Sequence, residues 1–242
     1  GKRPFASDLK ASGTTLENAS LKVVVDPKTG CITSLYDKKS SFETIASGGC
    51  GNQLQTFHDL PKDYDAWNID NLNGARTWLV ARADDAHPTV TRDAFGSAIT
   101  VYRGKDSSLV TQRYELPADA DRLDIETTVD WHQSHQLLKA VFPLAFHVDS
   151  THAEIPYAVI GRTTRPRTRQ DSARFETPML RFVDGSATDG SYGVAIVNGG
   201  KYGYSASGDT IFVTLLRSPK SPDAHADMGT QTFVYSIVPH AG

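Results

Sequence analysis

Apolar residues recur at every second position through most of this chain, in about fourteen runs of strand length. LKVVVD (21–26) and CITSLYD (31–37) flank PKTG, where Pro27 suits the second position of a turn and Gly30 suits a positive φ. Further runs are NQLQTFH (52–58), ARTWLVAR (75–82), SAITVYR (97–103), SLVTQRYEL (108–116), RLDIETTVDW (122–131) and LLKAVFPLAFHV (137–148). The series continues with AEIPYAVI (153–160), ARFETPMLRFV (173–183), YGVAIVN (192–198), YGYSAS (202–207), TIFVTLLR (210–217) and TFVYSIV (232–238). Turn chemistry separates them, as in RGKDSS, LPADADR, NGG and the short GD hairpin at 208–209. No 3.6-residue periodicity persists for a helix of ordinary length, and residues 59–70 have room for one helical turn. A period of two excludes a helical bundle and predicts an all-β fold: a large antiparallel β-sandwich with almost no helix. Residues 1–15 are expected to be a flexible N-terminal segment and 16–242 one β domain.

Totals narrow the function classes. A chain of 242 residues is long enough to bury a core without metal or disulfide support. A net charge of −3 gives no global reason to bind nucleic acid or a membrane surface. No apolar run reaches the length of a membrane span. Cys31 and Cys50 form no CxxC pair, so two free, partly buried thiols are expected, with a disulfide as the alternative in an exported protein.

Chemistry-bearing residues are scattered. No GxSxG or Cys–His arrangement marks a nucleophile, and no HExxH marks a metal site. His132 and His135 in WHQSH, and His147 and His152 around VDST, read as strand-end histidines. Arg162, Arg165, Arg167, Arg169 and Arg174 crowd one loop without interleaved aromatics, which suits a solvated loop or an acidic interface better than nucleic acid. GNQLQTFHDLPKDYDAWNID (51–70) sets Asp59, Asp63, Asp65 and Asp70 beside Phe57, Tyr64 and Trp67. Paired carboxylates carry glycoside hydrolysis, but acids in such loops also cap turns. Trp78 and Trp131 sit in strand patterns and are expected to be buried.

Longer strings resemble a known family. LENASLKVVVDPKTGCITSLYDKK, GNQLQTFHDLPKDYDAWNID, ARFETP, YGVAIVNGGKYGY and LLRSPKSPDAHADMGTQTFVYSIVPH occur in the order found in the C-terminal β domain of glycoside hydrolase family 38. That family comprises zinc-dependent retaining α-mannosidases, and the likeness is to its bacterial and cytosolic branch. The resemblance implies a galactose-mutarotase-like supersandwich. It also implies an excised, non-catalytic domain whose partners are its own catalytic barrel and helix bundle, with an α-mannoside carbohydrate bound in a shared cleft. The zinc and the catalytic carboxylates are expected in that absent barrel, so no catalytic or metal residue is assigned here, and the location implied is cytoplasmic.

By motif order the resemblance assigns Arg217 to the mannoside cleft, with His225 and Asp227 at its rim. Tyr64, Asp65, Trp67 and Asp70 are assigned to a domain interface. The chain departs from the family at Asn68, where aspartate is usual, at Gly199 and Gly200, and in RPRTRQDSARFE, which lacks a tryptophan. Two alternatives remain: an autonomous carbohydrate-binding module, favoured if Trp67 is exposed, and a free-standing epimerase using Glu154 with His147 or His152.

Overall fold

The computed structural model describes residues 9–70, 72, 76–78, 80–81, 89–92 and 96–242. The chain opens with β1 (Lys10–Ser12), β2 (Thr15–Glu17), β3 (Leu21–Val25), β4 (Ile32–Asp37) and β5 (Phe42–Glu43). Then come β6 (Gln53–His58), β7 (Arg76–Trp78), β8 (Val80–Ala81), β9 (Thr89–Arg92), β10 (Gly96–Lys105), β11 (Ser108–Pro117) and β12 (Leu123–Trp131). The middle holds β13 (Gln136–Pro143), β14 (Ser150–Ile155), β15 (Ala158–Thr163), a single turn of helix α1 (Arg169–Ser172) and β16 (Thr177–Pro178). The last strands are β17 (Phe182–Ser186), β18 (Tyr192–Asn198), β19 (Gly203–Ser207), β20 (Thr210–Arg217) and β21 (Gly229–Ala241).

These strands make three sheets. Five strands follow one another as β1-β2-β3-β4-β5. The largest sheet runs β15-β14-β17-β18-β21-β12-β11-β10-β8, with β9 also on β10. The third, of six strands, is ordered β16-β19-β20-β13-β6-β7. The strand pairs are antiparallel, as the period of two requires of a sheet with one face buried. Strands β11 and β12 alternate buried with half-buried or exposed positions along their length. One apolar cluster joins all three sheets, from Leu16 and Val23 through Ile125 and Trp131 to Val213 and Ile237. This is the antiparallel supersandwich that the sequence implied.

Differences from the sequence reading have local causes. Run 153–160 is two strands, because Pro156 and Tyr157 turn the chain between β14 and β15, with Tyr157 at φ 65°. Run 173–183 divides into β16 and the start of β17. Run 137–148 stops at Pro143, which cannot donate to a ladder. Within the segment expected to be flexible, Lys10–Ser12 pairs with β2 and Leu9 is buried. Residues 1–8 lie outside the described residues, as do parts of run 75–82 and the expected burial of Trp78. Trp131 is buried, and its Nε1 donates to Ser218 Oγ at 3.2 Å.

The free-thiol expectation is corrected: Cys31 and Cys50 form a disulfide with their Cα atoms 4.9 Å apart. A bridge between Ile32 and Gly51, bonded both ways at 2.8 and 2.9 Å, lays the two cysteine backbones side by side. Nothing in local sequence announces that pairing, because the cysteines are 19 residues apart.

The hairpin turn next to it is latched from the large sheet. The buried guanidinium of Arg103 donates from Nη2 to Gly30 O at 2.6 Å and also bonds Gln112 Oε1. The Tyr114 hydroxyl donates to the same Gly30 carbonyl at 2.8 Å. Gly30 has φ 68°, and a Cβ there would lie 2.5 Å from Val101 Cγ1. Glycine is therefore required twice over, by backbone and by space.

Candidate functional site

Strands β20, β13 and β6 are sheet neighbours, and β20 and β6 end on either side of the start of β13. Leu137 pairs with both Arg217 and Phe57. Arg217 closes β20 and Asp59 follows β6, so the two face each other across one strand although 158 positions separate them. Their side chains form a forked ion pair: Nε donates to Asp59 Oδ2, and Nη2 reaches Oδ1 at 3.3 Å. The Asp59 side chain is 2% exposed and that of Arg217 15%.

The guanidinium also donates to the main chain of the DYDAWNID loop. Nη2 donates to Asp65 O at 2.7 Å and to Asn68 O, and Nη1 donates to Ala66 O at 2.9 Å. Only a planar, multi-donor cation can gather a carboxylate and three carbonyls at once. In this chain the loop is folded around Arg217, and the guanidinium is turned inward to it.

Asp65 provides a second tie. Its Oδ2 accepts the amides of Lys220 (2.7 Å) and Ser221 (3.1 Å), and it lies 3.1 Å from His135 Nε2. Burial pushes the Asp65 carboxyl up, but the Lys220 amide, His135 and the Ser221 amide outweigh it and hold the group below its ordinary range. The other oxygen, Oδ1, is buried and has no hydrogen-bond partner among the described residues. Asp70 Oδ2 accepts the amide of Lys62 at 2.9 Å and closes the neck of the loop. Asn68, where the family usually carries aspartate, donates from Nδ2 to Asp63 O at 2.9 Å. The amides of Trp67 and Asn68 both donate to Tyr64 O, at 2.8 and 2.9 Å, giving the single turn expected here.

With its polar groups tied down, the loop presents its rings outward. Trp67 is 71% exposed and Tyr64 73%. Asp227 Oδ2 accepts the backbone amide of Arg217 at 2.8 Å, so Asp227 orders the segment after β20. His225 is exposed in the following turn, where its amide donates to Asp223 Oδ1 at 2.9 Å. The structure therefore brings Arg217, Asp65, Asp70, Tyr64 and Trp67 into one loop assembly, with Asp227 attached through the β20 backbone and His225 beside it.

Other candidates are engaged elsewhere. Glu154 is clamped by Arg181, whose guanidinium holds its carboxyl below the ordinary range, so it makes a poor proton acceptor. His147 lies between Asp149 and Asp209, at 3.4 and 3.2 Å. Arg165 pairs with Asp209 at 3.0 Å. Thr168 and Asp171 cap α1 reciprocally. Among the described residues no three His, Cys, Asp or Glu side chains gather as a metal set. Sequence reasoning missed Asp59 and His135 as partners in the loop assembly, since only sheet register brings them there. It also passed over Lys139, a lysine inside the apolar run LLKAVFP, which is a readable signal of a buried polar site.

Comparison with known proteins gives consistent results. The family described as "Glycosyl hydrolases family 38 C-terminal domain" matches residues 16–225. Alpha-mannosidase 2C1 of Mus musculus is 35% identical over 229 residues, covering 94% of this chain and 22% of that protein. Alpha-mannosidase of Saccharomyces cerevisiae is 31% identical over 239 residues, again covering 94% of this chain and 22% of the relative. The chain thus spans about a fifth of the length of these curated relatives. The crystal structure of an alpha-mannosidase from Enterococcus faecalis V583 superposes with a TM-score of 0.77 at 16% identity, covering 100% of this chain and 30% of that one. A galactose mutarotase-like protein from Lactobacillus casei shares the fold with a TM-score of 0.51 at 11% identity, covering 93% of this chain and 99% of its own.

Proposed function

Because the chain belongs to the glycosyl hydrolase family 38 C-terminal domains, we propose that it is the non-catalytic β domain of an α-mannosidase. It buttresses the catalytic barrel and helix bundle and completes the mannoside cleft from one side. One observation carries this reading. A loop fixed by the guanidinium of Arg217 holds Trp67 and Tyr64 largely exposed to solvent. Large rings on a braced loop are costly to leave exposed and are what interface cores are made of. Arg217 then acts on the cleft through the loop it holds, with His225 and Asp227 at the rim. Zinc, in this reading, is held by the partner domains.

The test uses a longer protein that joins this domain to its barrel and bundle. Trp67→Ala is expected to lower kcat/KM toward an α-mannoside while leaving the melting of the isolated domain unchanged. An unchanged kcat/KM, with the domains still associated, removes the loop from the interface.

A cytoplasmic location belongs to the same reading, and no helix of the described residues is long and apolar enough to cross a membrane. The Cys31–Cys50 bond pulls the other way, since reducing compartments keep thiols open. When cells are lysed in denaturant with an alkylating reagent and no reductant, alkylation of both cysteines supports the cytoplasm, and their protection overturns it.

The exposure of Trp67 also favours a second reading, in which the domain binds carbohydrate by itself.

A further inference from the structure

The outer face of the six-stranded sheet carries a cavity of about 750 Å³, within the range of small-molecule sites. Strands β19, β20, β13 and β6 form its floor, and the segment from β15 through α1 to β16 forms its wall. Leu138, Ala140 and Phe142 of β13 face the core, while Lys139 faces the cavity.

The floor residue Lys139 belongs to a buried ion pair with Glu176, which lines the neighbouring groove. The Lys139 side chain is 3% exposed and that of Glu176 9%. Lys139 Nζ donates to Glu176 Oε2 and, at 2.8 Å, to Ser205 Oγ. Thr214 Oγ1 donates to the other Glu176 oxygen. Rings of Phe57 and Phe212 lie 5.7 and 6.0 Å from the ammonium. A leucine or methionine at 139 would cover this sheet at lower desolvation cost, so the pair is poor evidence of a stability device. An ammonium has three protons, and among the described residues Lys139 spends two of them on Glu176 and Ser205.

The cavity has an aromatic mouth. A groove of about 350 Å³ shares Phe175 and Thr177 with it and is also lined by Trp67, Ile69 and Tyr202. Trp67 is 71% exposed, Tyr202 61% and Phe175 36%. Three exposed rings along one strip, leading to a floor of hydroxyls, make a cleft that is apolar on its faces and polar at its end.

Rings and hydroxyls, more than charge, select the ligand class. Lys139 is matched by Glu176, and Arg174 acts on Asp171. Arg162 gives its Nη1 to neutral acceptors, Tyr204 Oη at 3.0 Å and Pro178 O at 3.1 Å, and is left as one cation in the wall. Ser205, Thr177 and Tyr204 add hydroxyls that both donate and accept. We propose that this cleft binds a neutral oligosaccharide. Its sugar rings stack on Trp67, Tyr202 and Phe175 at the mouth, and the hydroxyls of its terminal unit bond Lys139 and Ser205 at the floor. The inference rests on the second reading above, to which it gives a site, and it shares Trp67 with the interface reading, so it concerns the domain with that ring uncovered.

The experiment is a calorimetric titration of the 242-residue chain with α-linked mannotriose, maltotriose, cellotriose and, as the anionic comparison, trigalacturonate. At least one neutral trisaccharide is expected to bind at millimolar Kd or tighter, and Lys139→Met to weaken it by about tenfold or more, the equivalent of one lost buried hydrogen bond. Should Lys139→Met misfold, Ser205→Ala and Phe175→Ala are the surface-accessible substitutes, with the same weakening expected. Binding unchanged by Ser205→Ala and Phe175→Ala overturns this site while leaving carbohydrate binding in place. Absence of heat with all three neutral probes overturns both. Binding of trigalacturonate alone overturns the neutral class.

Discussion

Replacing Arg217 with alanine removes the hub of the 59–70 loop, and the consequences follow from its partners. Asp59, with a side chain 2% exposed, loses its counter-ion, and the carbonyls of Asp65, Ala66 and Asn68 lose their donors. Breaking a buried pair by deleting one partner costs about 3–5 kcal/mol. The guanidinium is itself 15% exposed, and the freed carbonyls belong to a surface loop that water reaches, so we expect the lower end, about 3 kcal/mol, carried by Asp59. Urea melts of the isolated chain read the loss as a lower midpoint at constant slope. Hydrogen exchange across 60–70 should accelerate far more than exchange in β11 or β12, because the loop opens before the sandwich does. Arg217→Lys keeps the charge but loses the fork and should recover less than half of the loss. Asp59→Asn combined with Arg217→Ala should cost less than the sum of the single changes. A loss below about 0.5 kcal/mol, with exchange in 60–70 unchanged, would refute the assignment of Arg217 as the loop's anchor.

Three other outcomes are expected. Gly30→Ala should lower stability by about 2–4 kcal/mol in a thermal or urea melt, since the Cβ meets Val101 Cγ1 at 2.5 Å and the backbone has φ 68°. Opening the Cys31–Cys50 bond with a reductant should cost about 3 kcal/mol, the chain-entropy value for a loop of this size, read as a lower melting temperature that Cys31→Ser with Cys50→Ser reproduces. The folded carboxyl of Asp65 titrates below its unfolded value, so its contribution is present above the unfolded pKa of about 4 and is lost as pH falls through the folded one. Protection from exchange in 60–70, corrected for the intrinsic pH dependence of amide exchange, should therefore fall below about pH 4 in the native protein, and Asp65→Asn should remove most of that dependence.

The sheet framework was legible because it depends on local chemistry. Strand β20 occupies 210–217 as the alternation predicts, and Gly208–Asp209 joins it to β19 as a two-residue turn with Gly208 at φ 57°. The PKTG hairpin is equally local: Asp26 Oδ1 accepts the Lys28 amide at 2.7 Å, and Gly30 takes the left-handed conformation. Reading failed where a short element interrupted the alternation. The capping pair Thr168 and Asp171 was hidden inside an arginine-rich loop, and the turn at Tyr157 sat inside an apolar run. The site was legible in its residue types but not in its partnerships. Arg217 and Trp67 stood out in LLRSP and DYDAWNID. The carboxylate that Arg217 grips lies 158 residues away and is brought to it by the order β20-β13-β6. The disulfide belongs to the same class, since its geometry comes from the Ile32–Gly51 bridge between distant segments.

The measurement that bears most directly on the account is hydroxyl-radical footprinting of Trp67 and Tyr64, in the isolated chain and in a longer protein carrying the catalytic barrel and helix bundle. Both rings should oxidise rapidly in the isolated chain, where they are 71% and 73% exposed, and should be protected by at least about fivefold in the longer protein, as fully buried interface anchors are. Equal oxidation in the two proteins would contradict the claim that this loop is the surface by which the domain meets its catalytic partner.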